Sequence, residues 1–143
     1  MSRLLKINHV AFVVAELESA LKFWCDDLGL TLESQHDVPA EDSRVAYLPI
    51  GNSQIELVEP LNDDSGVARF LSKRGPGMHH LCLEVDDLDA MAARLRTRGV
   101  RLIHESPRVG ADGTQYLFVH PQSTGGVLLE LYQLPGPAPA PPP

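Results

Sequence analysis

Two histidines and two glutamates are the side chains of this sequence best suited to metal-assisted chemistry. They are His9 in INHVAFVV, Glu56 in SQIELVEP, His80 in GMHHLCLEV and Glu130 in GVLLELYQ. A pair of imidazoles with a pair of carboxylates suits a borderline divalent ion such as Co, Ni, Zn or Mn. Each of the four stands among apolar neighbours in a strand-like segment, where an inward ionisable group is costly to bury unless it is paired or bound to metal. Taken singly, each has a plainer reading, because a strand histidine is usually a hydrogen-bonded core residue and a strand-edge glutamate is usually solvated. What joins them is a repeat.

Ile7–Leu32 reads INHVAFVVAELESALKFWCDDLGLTL and Met78–Leu102 reads MHHLCLEVDDLDAMAARLRTRGVRL, the same order of strand, acidic turn, helix, glycine and strand twice over. His9 falls on His80. Val10, Phe12 and Val14 alternate with His9, Ala11 and Val13, the period of two that a strand requires. Leu17, Ala20, Leu21, Trp24 and Leu28 recur at helical spacing before Gly29, and Leu88, Met91, Ala92 and Leu95 do so before Gly99. Two further strands follow in each copy, Arg44–Pro49 with Ser53–Glu59 and Gln115–His120 with Gly126–Tyr132, so QIEL corresponds to LLEL and Glu56 to Glu130. A helix at Val67–Lys73, closed by the breaker run RGPG, separates the copies.

The expectation is an α+β fold of two tandem βαβββ modules, about 5–60 and 78–133, with a linker helix at about 65–74. Modules this short bury too little surface alone, below about 60 residues being marginal, so residues 1–134 are expected to form one domain with a mixed sheet curved around a metal pocket.

Composition narrows the function classes. The 143 residues carry 22% charged and 43% hydrophobic side chains, ordinary for a globular chain, and the net charge of -7 comes without any basic run. A nucleic-acid partner is therefore not expected. Neither is a membrane span, since no apolar run approaches about 18 residues, nor a signal peptide, Met1–Lys6 being too short. Cys25 and Cys82 lack CxxC spacing and suit reduced thiols in a cytoplasmic core. From Pro135 to Pro143 the chain reads PGPAPAPPP, an extended, disordered tail.

NHVAFVV, NSQIELVEPL, GMHHLCLEVDDL and HPQSTGGVLLEL together resemble the methylmalonyl-CoA epimerases, within the vicinal-oxygen-chelate superfamily that also holds glyoxalase I. The likeness runs from about Ile7 to Gln133. It implies paired βαβββ modules, a homodimer, an acyl-CoA substrate and one divalent ion per chain, often cobalt, on His9, Glu56, His80 and Glu130. Gln54, two residues from Glu56 on the same strand face, is the alternative ligand there. His79 points away from His80 by alternation and reads as structural or supporting. His36, His104 and His120 have no partner in register, and His120 reads as a turn residue ahead of Pro121.

Epimerising a 2-methylmalonyl thioester means taking a proton from between a thioester and a carboxylate and returning one to the opposite face. A Lewis acid would hold the enolate charge while two carboxylates exchange protons. The resemblance makes Glu130 both ligand and base. The second base is open, because the strand before QIEL, RVAYL, has no carboxylate; Glu56 ranks above Glu41, with Asp42 beside it. Lys73, Arg74 and Arg108 are available to the phosphates of the substrate but none is assigned. Three rivals remain: glyoxalase I on the same ligands, an extradiol dioxygenase, which a fourth protein ligand argues against, and a binding or resistance protein on this fold.

Overall fold

The computed structural model describes residues 2–136, so all but the first two residues of the expected Pro-rich tail lie outside the described residues. No described helix is long and apolar enough to cross a membrane. The chain divides into two compact units, one of them Asn8–Leu81 and the other the described residues on either side of it.

Strand β1 (Leu4–Val13) enters the first unit and leads to helix α1 (Leu17–Leu21), whose last turns continue as a π-helix at Lys22–Asp27. Strand β2 (Ser34–Val38), a short 3-10 turn at Pro39–Glu41, β3 (Ser43–Ile50) and β4 (Ser53–Pro60) follow. Antiparallel pairing joins β2 to β3 and β3 to β4, while β4 runs parallel to β1. Helix α2 (Gly66–Arg74), capped by the Ser65 hydroxyl on the Ala68 N–H, covers the expected linker. The second unit takes up strand β5 (Gly77–Val85) at Cys82 and continues with α3 (Leu88–Thr97), β6 (Arg108–Val109), β7 (Gln115–Val119) and β8 (Leu129–Gln133). Its strands lie in the order β5-β8-β7-β6.

The cores of the two units are built from the same positions. Val14, Leu17, Ala46, Leu48 and Leu57 form one cluster; their counterparts Val85, Leu88, Leu117, Val119 and Leu131 form the other, joined by Ala92. Even a helix cap is repeated. The Leu17 N–H donates to Glu59 Oε2 at 2.8 Å, and the Leu88 N–H donates to Gln133 Oε1 at 2.7 Å. In both copies a side chain from the last strand satisfies one of the four N–H groups that a helix start leaves without an internal partner.

Three expected elements differ. The first helix has one residue more than its counterpart between the core residue of its last turn and the closing glycine, Trp24 to Gly29 against Leu95 to Gly99. It absorbs the extra residue as the π-helix, the Leu28 N–H reaching Phe23 O at 2.8 Å. Gly99 closes α3 with the ordinary left-handed cap, φ 77, its own N–H on Arg96 O and the Val100 N–H on Leu95 O. The strands expected directly after the two glycines are also displaced. In the first copy β2 begins only at Ser34. In the second, Leu102 makes an isolated bridge to Val119 and pairing resumes at β6, because Pro107 has no N–H to give the ladder between them.

Candidate metal centre

Parallel pairing of β1 with β4 sets His9 opposite Gln54 and Ala11 opposite Glu56, so these side chains share one sheet face. Phe12 and Val14, on the other face, pack under α1. Ala11 in turn packs with Val45 and Val58 on the site's face, and Val67 of α2 lies against them. The apolar alternation seen in the sequence thus turns His9 inward, where its side chain is 1% exposed.

A buried imidazole needs partners for both nitrogens, and His9 has them. Nδ1 lies 3.0 Å from Glu56 Oε2 and 2.7 Å from Asn8 Oδ1. Gln54 Nε2 donates to the same Glu56 oxygen at 3.0 Å, which holds the carboxylate in place. On its other side, His9 Nε2 faces His80 Nε2 at 3.2 Å, with the rings edge to face. His80 Nδ1 then meets His79 Nδ1 at 2.8 Å. His79 packs edge-on against Phe70 of α2, ring centroids 5.1 Å apart.

This geometry passes a simple test for a metal. A neutral His9 beside an ionised Glu56 carries its ring hydrogen on Nδ1 and has its lone pair on Nε2, where an ion could bind. Two imidazole nitrogens bound to one ion at about 2.1 Å, with an angle of about 90 to 110° between them, lie about 3.0 to 3.4 Å apart. The observed separation of 3.2 Å falls in that range. The described residues therefore include a facing imidazole pair that could hold a divalent ion, with a carboxylate orienting one of them.

Of the four expected ligands, His9, Glu56 and His80 come together within Asn8–Leu81. Glu56 stands against the far nitrogen of the His9 ring. Glu130, 4% exposed, sits on β8 of the other unit, opposite Phe118 as Glu56 is opposite Tyr47. Glu41, the fallback base, is exposed on the 3-10 turn, its carbonyl accepting from the Ser43 hydroxyl. Among the other histidines, His36 packs on Tyr47 and His104 on Phe118. His120 caps a turn, its Nδ1 accepting from the Gln122 N–H at 3.0 Å. Asn8 is the functional neighbour the sequence reading missed, and its place beside His9 in NHVAFVV was the available signal.

Residues 8–118 match the family described as the Glyoxalase/Bleomycin resistance protein/Dioxygenase superfamily. The chain is 39% identical to the mitochondrial methylmalonyl-CoA epimerase of Homo sapiens over 129 residues, 90% of this chain and 73% of that one. Methylmalonyl-CoA epimerase from Mycobacterium tuberculosis superposes with a TM-score of 0.85 at 40% identity, covering 93% of this chain and 90% of that one. A variant of the Streptomyces coelicolor methylmalonyl-CoA epimerase, solved in complex with 2-nitronate-propionyl-CoA, gives 0.86 at 32% identity, covering 94% and 100%. Likeness to a probable lactoylglutathione lyase of Synechocystis falls to 26%, over 87% of this chain and 92% of that one. The duplicated fold, the facing imidazoles and these likenesses agree: the chain belongs to the methylmalonyl-CoA epimerase family of isomerases, within that superfamily.

Proposed function

We propose that the protein interconverts the (R) and (S) forms of methylmalonyl-CoA by moving the proton at C2. The observation that carries this reading is the His9–His80 pair, Nε2 to Nε2 at 3.2 Å, with Glu56 on His9 Nδ1, in a chain of this family. A divalent ion bound there supplies a Lewis acid for the negative charge that develops when C2 loses its proton. Cobalt is the ion the family resemblance favours, with nickel, manganese and zinc as alternatives.

The chain's own residues do the rest. His9 and His80 are the imidazole ligands. The family resemblance makes Glu130 a carboxylate ligand and the base for one substrate epimer. Glu130 is buried on β8. Glu56 is the base for the other epimer; its contact with His9 Nδ1 places it beside the imidazole pair while leaving Nε2 to the ion. Glu41 is a weaker choice, because Ser43, just beyond it, is four strand residues from Tyr47, the partner of Glu56, or about 13 Å along β3. Arg74 lies over the Phe70 ring at 5.5 Å and is given no role with the substrate. The family resemblance further supports a homodimer, and two free cysteines suit a reducing cytoplasm.

The test is hydrogen exchange at carbon. With metal-loaded protein in heavy water, the C2 proton of methylmalonyl-CoA should disappear rapidly by NMR, and the adduct of glutathione and methylglyoxal should turn over slowly or not at all. The reverse ranking would assign the protein to glyoxalase chemistry.

A further inference from the structure

We infer that the coenzyme A arm of the substrate runs across the second copy of the module, over Phe118 and Tyr116, and that Arg108 on the edge strand β6 binds its phosphates. This rests on the epimerase reading above and adds the course of the arm to it. It comes from a difference between two copies that are otherwise built alike.

In the first copy, the sheet face that carries Glu56 is closed by the chain itself. Ala11, Val45 and Val58 lie on that face, and α2, which follows β4, packs Val67 against them. Among the described residues no helix follows β8, so the second copy supplies no such cover to its own face. The places of the cross-strand pair Val45 and Val58 are taken there by the pair Tyr116 and Tyr132, both half-buried. Two small apolar side chains under a helix are thus replaced by two phenols, each an apolar ring with a polar tip. Such a surface suits pantetheine, whose methylene and methyl groups need apolar contact and whose two amides need hydrogen-bond partners.

The edge strands differ in the same sense. β6 sets Arg108 opposite Tyr116, on the face of Glu130, whereas β2 sets His36 opposite Val45 in the first copy. Arg108 is exposed, and its positive charge acts on His104, whose ring packs edge-on against Phe118. A permanent cation therefore ends the aromatic face of Phe118 and Tyr116, whose ring centroids lie 6.4 Å apart. In a chain of net charge -7, an anion is drawn to such a point rather than to the surface at large.

Reach decides whether that anion is the phosphate of the substrate. Glu130 on β8 lies opposite Phe118 on β7, and Arg108 is one strand further out and two residues along. Strands about 4.8 Å apart, with a rise of about 3.3 Å per residue, put the two Cα atoms about 12 Å apart. In an acyl-CoA, about fifteen bonds run from C2 to the first phosphorus, or about 17 Å in an extended chain. The difference of about 5 Å is within the length of an extended arginine side chain.

The test pairs variants with a truncated substrate. Arg108→Gln should raise KM for methylmalonyl-CoA about 5 to 30-fold with kcat nearly unchanged, since a contact remote from C2 is made equally in the ground and transition states. Methylmalonyl-pantetheine has the arm without the phosphates, and its kcat/KM in the same variant should stay within about twofold of the parent value. Equal loss with both thioesters, or loss with neither, overturns the phosphate assignment. Tyr116→Ala should weaken both thioesters, because the arm is common to them, and no effect on either overturns the course of the arm. Should that variant fail to fold, the measurements on the exposed Arg108 decide. Arg74→Gln is the control and should leave both thioesters unchanged; if it takes the loss in place of Arg108→Gln, the arm runs over the first copy and the inference is wrong. Calorimetry with free coenzyme A and with pantetheine makes the comparison without turnover. The parent should bind coenzyme A more tightly and Arg108→Gln should remove the difference, whereas equal binding of both by the parent overturns the inference. Absence of C2 exchange in the parent sinks the epimerase reading, while the calorimetric result bears on the arm alone, so the two failures are told apart.

Discussion

Glu56 and Glu130 occupy the same place in two copies of one strand, yet they are asked to do different things. Two faces of C2 need two bases, and each abstracts from one epimer only. Glu130→Gln keeps an oxygen ligand and removes the base, so it should retain most of the metal and lose at least about a hundredfold in exchange from one epimer. Glu56→Gln should show the opposite epimer preference. Intact exchange of both epimers in Glu56→Gln, with selective loss in Glu41→Gln, would move the second base to the turn at Pro39–Glu41. His9→Ala and His80→Ala should each lower metal content per chain, by elemental analysis of purified protein; full metal and activity in both would show that these imidazoles are not ligands. That His9 and His80 form a pair was legible in the sequence because the repeat puts them in register. Which ring nitrogen meets which partner was not. Asn8 on His9 and His79 on His80 depend on rotamers, which periodicity does not encode.

At the level of elements, the same duplication predicts how the helices are held. Glu59 and Gln133 each accept from the first N–H of a helix, so Glu59→Ala and Gln133→Ala should each destabilise the protein by about 0.5 to 2 kcal/mol, as cap losses do, measured by urea unfolding. No loss in either would show that water replaces these caps freely. The π-helix makes the converse case. Deleting the exposed Asp26 restores the spacing of α3, so the variant should fold with a regular helix, and its thermal midpoint should stay within a few degrees of the parent. A large drop would mean that the wide turn itself is needed, for instance to seat Trp24 against Phe12. Helix and strand order could be read from the sequence because apolar spacing of three and four, or of two, is set by burial. The start of β2 could not, since Leu30 belongs to the core by hydrophobicity alone and pairs with no strand. The break before β6 had a visible cause in Pro107, but Val100, Leu102 and Ile103 carry an apolar pattern that reads as unbroken.

For the molecule as a whole, the chemistry of a few ionisable groups outside the site sets how stability responds to acid. Hydrogen bonding to Arg44 holds the Asp37 carboxyl below its ordinary value of 3.8, the Arg3 N–H and Ser2 hydroxyl do the same for Asp86, and the Thr114 N–H and hydroxyl for Asp112. For each, the unfolded chain takes up protons first, so their contribution is present above 3.8 and is lost as the pH falls through the depressed folded values. His104 acts earlier. Burial, helped by the positive charge of Arg108, lowers its imidazole below the ordinary 6.5, and its Nδ1 is buried without a hydrogen-bond partner. The folded ring stays neutral while the unfolded one becomes charged, so stability is fully present above 6.5 and begins to fall below it, before those three aspartates are protonated. The urea midpoint should therefore decline in two stages on acidification. Replacing His104 by Phe removes the titrating ring and the unsatisfied nitrogen together. The expected outcome is a shallower first stage, an unchanged second stage, and a stability at neutral pH equal to or above that of the parent, because an unsatisfied buried polar atom is costly. A first stage of the same slope in His104→Phe would place its origin elsewhere, with the His9, His79 and His80 cluster the next to examine by the same measurement with zinc bound.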